Sequence, residues 1–140
     1  MRPIFVIHDI AHARAALAAA AEAGVAVTLV SAPAAAAYLG AAVFREMVAE
    51  AAREAPGVGV TAMIDCGDDA GLALNALRHG LKAIRLRACP EAMAAVADIA
   101  HQLGAHIDPD PAAPALDLLD RPDAQAACRA WLLGHLPGAD

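Results

Sequence analysis

The residues of this chain best suited to chemistry lie together in Thr61 to Gly71, TAMIDCGDDAG, where an apolar run ends in a carboxylate, a thiol and a glycine, with two more carboxylates behind them. Asp65 is the candidate catalytic residue, because a carboxylate whose pKa is raised by burial or by a like charge can serve as a general acid or base. Cys66 is a candidate metal ligand: thiolates bind zinc well, and a helix starting just beyond it would favour the thiolate. Each has a plainer reading. Free cysteine is among the residue types most often buried as a small hydrophobe. Asp68 or Asp69 suits the N-cap of the following helix, where a carboxylate accepts an orphan backbone N–H and faces the positive helix end.

Other candidates stand at the ends of other apolar runs. His8 follows the first run and could bind a ligand or join Cys66 as a second metal donor, although His8-Asp9 also reads as a polar turn capping a helix. Ser31 follows the second run and is a candidate ligand-binding residue. Arg87 follows the fourth, and with Arg85 it offers a guanidinium fork for a phosphate or carboxylate, or else an ion pair with nearby acids. The sole lysine, Lys82, opens its strand rather than ending it, which argues against a Schiff base. No phosphate-binding glycine motif is present to support nucleotide binding.

The elements that must position these residues alternate in period. Short β-branched runs, PIFVIHD, VAVTLVS, VGVTAMID, KAIRLRA and AHID, are separated by alanine-rich helical stretches stopped by Gly24, Pro56-Gly57, Gly80 and Gly104. This predicts a single α/β domain over 1–140, a (βα)5 parallel sheet that is either half of an eight-stranded barrel or an open flavodoxin-like sheet. In both, ligands bind at the carboxyl ends of the strands. Residues 109–121 read as a proline-rich connection to a C-terminal helix, with Asp120 as its N-cap. In KAIRLRA, Arg85 and Arg87 share one face and Ile84 and Leu86 the other, so one face of that strand is polar, lies at an edge or meets a partner.

Composition narrows the function classes. A chain of 140 residues is too short for a complete eight-stranded barrel. The hydrophobic fraction of 59% is largely alanine, and no stretch is long enough and free enough of charge to span a membrane. A cytoplasmic protein is expected. A net charge of -6 and 3% aromatic residues argue against a nucleic-acid partner and against an anionic membrane. Three cysteines without a CxxC spacing fit reduced thiols.

Taken as a series, IFVIHDIAHARAALAAAAEAG, VAVTLVSAPAAAAYLG, FREMVAEAAREA and MIDCGDDAGLALNALRHGLKAIRLR resemble the amino-terminal half of the class II, zinc-dependent fructose-bisphosphate aldolases, over roughly residues 3 to 108. The resemblance implies that Asp65 occupies the place of the family's proton-shuttling aspartate and Cys66 that of a zinc-binding histidine, with zinc the implied cofactor. Two departures stand out. Arg87 replaces an aspartate of the family, and the family's other zinc histidines and phosphate loops belong to a second half-barrel. The expectation is therefore an aldolase-like half-barrel, without zinc-dependent aldolase catalysis, that binds a small anionic metabolite, phosphorylated or carboxylated. If it is an enzyme, it is of the lyase type. The alternatives are a non-catalytic interaction module and a receiver-like signalling domain with Asp65 as phosphoacceptor. A half-barrel leaves apolar sheet to be covered, by its own last helix or by a homo-oligomer.

Overall fold

In the computed structural model, which describes residues 2–135, the chain runs β1 (Ile4–Val6), α1 (Ile10–Ala23), β2 (Val27–Val30), α2 (Ala41–Arg53), β3 (Val60–Asp65), α3 (Ala70–Arg78), β4 (Ala83–Arg85), α4 (Pro90–Gln102), β5 (His106–Ile107), β6 (Leu116–Asp117) and α5 (Ala124–His135). The helix boundaries follow from local chemistry. Asp9 accepts from the His12 N–H to cap α1, and Asp69 accepts from the Leu72 N–H to cap α3. Gly24 ends α1 in the left-handed region at φ 68°, a conformation that glycine adopts without steric cost. At α5 the cap is Asp123, whose carboxylate accepts from the Ala126 N–H. Asp120, expected there, lies further back, with its own backbone at φ 58°.

All strand pairs are parallel, in the order β5-β4-β3-β2-β1-β6. The first five strands follow chain order, and their side chains sort by parity. Phe5, Ile7, Leu29, Ile64, Ile84 and Leu86 join the buried faces of the helices in one core, whereas Ile4, Val30, Met63 and Ala83 form a second cluster on the other face. This is winding in one direction with the helices on one side, as in a barrel. A flavodoxin-like sheet, with helices on both faces and a reversal of strand order, is not what forms. Thr61, Met63 and Asp65 on β3, and Ala83 and Arg85 on β4, thus share the concave face.

The proline-rich connection contains more than a linker. It holds a sixth strand, which pairs with β1 at the edge opposite β5: Phe5 opposes Leu116, and Val6 opposes Asp117. To get there, residues 109–115 cross the concave face, where Ala113 and Ala115 pack on the Ile4, Val30, Met63 and Ala83 cluster. Nine peptide steps from Ile107 to Leu116 reach at most about 30 Å, and five strand spacings measure about 24 Å along a flat sheet. The segment also turns at Asp110, which accepts from the Ala113 N–H, so the crossing is feasible because the sheet is curled and the chord short. Relative to the β1 to β5 steps, this crossover reverses both its direction along the sheet and the face it uses. The two reversals cancel, and the hand of the connection is preserved. The last helix, α5, packs chiefly against α1 on the helical side, so residues 109–115, here called the strap, are what cover the concave face.

Candidate binding pocket at the strand ends

Asp65 closes β3 with its carboxylate on the concave side. Its Oδ1 accepts from the Ala34 N–H at 3.0 Å and from the Gly67 N–H at 2.8 Å. Both donors sit in left-handed backbone, Ala34 at φ 57° and Gly67 at φ 59°. That conformation is disfavoured for alanine, and the bond to Asp65 is one of the contacts that hold it. Ser31 completes the junction: its hydroxyl accepts from the Asp65 N–H at 2.9 Å and donates to the Ala32 carbonyl at 3.0 Å. The loops after β2 and β3 are therefore stitched together by Asp65 and Ser31. Ser31 is buried and spends its hydroxyl on this stitch rather than on open space.

Beside Asp65, Arg85 of β4 donates from Nε to Asp108 Oδ2 at 2.9 Å, in a pair whose side chains are only 13% and 9% exposed. Asp108 Oδ1 accepts from the Asp110 N–H, fixing the start of the strap. A buried pair of this kind holds its partners to each other, since removing one leaves the other charge uncompensated. Arg85 Nη2 is buried and has no acceptor. Such an unpaired nitrogen carries a desolvation cost of about 1–3 kcal/mol.

Around these groups lies a pocket of about 310 Å³, lined by Ala34, Asp65, Asp68, Arg85, Arg87 and Asp108, with Pro33 and Pro111 of the strap as apolar wall. The Arg87 N–H donates to the Gly67 carbonyl at 2.8 Å, but among the described residues no carboxylate lies within salt-bridge distance of its guanidinium. Asp65 and Arg87, both expected at strand ends, line this one pocket, and Arg85 lines it with them. Arg85 and Asp108 are the site residues whose partnership the sequence left unresolved, and the alternation in KAIRLRA was its visible signal.

Cys66 goes elsewhere. Successive strand residues face opposite ways, so the thiol points into the helix-side core, where it is buried and its Sγ donates a long 3.8 Å hydrogen bond to the Ile64 carbonyl. Burial, with help from the Asp65 and Asp69 charges, pushes its pKa up to about 12, the opposite of what a thiolate ligand needs. His8 does not meet it either. His8 Nε2 bonds Asp117 Oδ1 at 2.7 Å, which ties β1 to β6, and the His8 N–H donates to His12 Nδ1 at 3.0 Å. Zinc does not fit these positions: among the described residues no three His, Cys, Asp or Glu side chains converge as a donor set, and the two candidate donors lie in separate environments.

The fold compares with solved aldolases. The YdjI aldolase from Escherichia coli K12 superposes with a TM-score of 0.62 at 20% identity, over 76% of this chain and 44% of that one. The fold is that of part of an aldolase barrel. A Coccidioides immitis chain assigned as a fructose-1,6-biphosphate aldolase gives a TM-score of 0.62 at 19% identity, over 76% of this chain and 39% of its own. The chain therefore spans less than half the length of either. No family model matches it, and no curated protein matches it in sequence. Among the described residues no helix is long and apolar enough to cross a membrane.

Proposed function

We propose that this chain is a binding protein built on a partial aldolase barrel, taking a small anionic metabolite, phosphorylated or carboxylated, in the pocket between the ends of β3, β4 and β5. The observation that carries the reading is unspent cationic capacity at a strand-end pocket: among the described residues Arg87 has no carboxylate partner and Arg85 retains a nitrogen without an acceptor. Arginine's planar fork suits carboxylate and phosphate oxygens. Arg85 Nη2 is closed to solvent, so a ligand reaches it only as the pocket lining rearranges around the Arg85–Asp108 pair. The pocket volume lies at the small end of the range for small-molecule sites. Catalysis of the zinc-dependent aldolase kind is not part of this proposal, because the thiol and the imidazole that could contribute to a metal site lie apart.

Titration calorimetry tests it, using three- and four-carbon carboxylates with and without phosphate or amino groups. The expected result is that at least one binds with a Kd of about 1 mM or tighter, and that Arg87→Ala weakens it by about tenfold or more. Arg87 is exposed, so this change leaves the core intact. Equal binding by parent and variant, or none by any compound, would sink the proposal.

A further inference from the structure

The charges around the pocket do not suit a ligand that is only anionic. Arg85 neutralises Asp108, but Asp65 bonds through Oδ1 alone and its second oxygen has no partner among the described residues. Asp68, exposed at the pocket wall, has none among the described residues either, so two carboxylates line the same pocket as Arg87. We infer that the ligand is a small zwitterion, an α-amino acid, with its carboxylate against Arg87 and Arg85 and its ammonium between Asp65 and Asp68. This rests on the binding reading above and narrows it.

The physical argument is one of matching. A phosphomonoester brings nearly two negative charges and would set them beside two carboxylates that have no cation of their own. A 2-hydroxy acid satisfies the arginines but offers Asp65 a single hydroxyl donor and no positive charge. An amino acid meets both ends with opposite charge, and its ammonium brings three donors for the two carboxylates to share. Pro33 and Pro111 leave an apolar wall for a short side chain.

The test is calorimetry on the full chain with matched pairs, alanine against lactate, serine against glycerate and aspartate against malate, together with inorganic phosphate. An amino acid is expected to bind about tenfold or more tightly than its hydroxy counterpart. Asp68→Asn should remove most of that preference, weakening the amino acid and strengthening the hydroxy acid, whose carboxylate then meets one negative charge fewer. Asp65→Asn should also reduce the preference, since asparagine keeps an oxygen for the Ala34 and Gly67 N–H groups but has no charge for the ammonium. If Asp65→Asn does not fold, Asp68→Asn, at an exposed position, carries the test alone. Hydroxy acid or phosphate bound as tightly as the amino acid, in an Arg87-dependent way, would overturn the zwitterion and leave the anion pocket standing. Binding by none of the seven compounds would overturn both.

Discussion

Asp65 and Cys66 are adjacent in the chain but lie on opposite faces of β3, and that separation governs what each can do. Asp65 organises two loops and lines the pocket, while Cys66 packs beneath the helices. The same burial acts on Cys128, whose thiol is also pushed up to about 12, whereas Cys89 is exposed ahead of α4. A thiol reagent at about pH 8 should therefore label one cysteine per chain quickly, Cys89, and all three after denaturation in urea. Rapid native labelling of Cys66, read by peptide mass spectrometry, would contradict its buried placement. In the sequence, the types and spacing in TAMIDCGDDAG marked the strand end and a cap at Asp68 or Asp69, and in the fold it is Asp69 that caps. The assignment of a thiol to one face or the other depends on register, which a short apolar run does not fix. The pairing of Arg85 with Asp108 was hidden for a related reason: the two are 23 residues apart, and only the placement of β5 beside β4 brings them together.

At the scale of elements, the five βα units were legible because glycine and proline punctuate them and because β-branched runs alternate with alanine-rich ones. β6 was not legible. It is a two-residue strand inside a segment broken by Pro109, Pro111 and Pro114, and its existence depends on the free edge of β1 rather than on any local preference. Its tie to β1 includes the bond from His8 to Asp117. Burial works to raise the Asp117 pKa, but the Leu119 N–H and the His8 and His12 rings lower it by more, so the net displacement is downward. A carboxyl with a lowered folded pKa stabilises the fold above its unfolded pKa, near 3.8, and that contribution fades as pH drops through the lower folded value. Asp117→Asn should therefore lower the urea midpoint relative to the parent at about pH 5, with the gap closing as pH falls below about 3.8. A gap that stays constant to about pH 2 would show that the charge on Asp117 does not contribute.

For the molecule as a whole, the strap does what a partner subunit or a last helix was expected to do, covering the Ile4, Val30, Met63 and Ala83 cluster from within the chain. Replacing residues 109–115 with glycine and serine at equal length should uncover that cluster, with a stability loss on the order of 2–3 kcal/mol for roughly 100 Å² of apolar surface. It should also increase self-association in sedimentation velocity relative to the parent. An unchanged midpoint and sedimentation coefficient would mean the strap contributes little cover. The strap has a further consequence for how copies of this fold could combine. Where a full barrel would continue with more strands, β6 already occupies the place beside β1, and alanines fill the space those strands would enclose. Two copies joined in tandem would then behave as beads on a string, each closed on itself, and would fuse into one ring only if both straps were evicted.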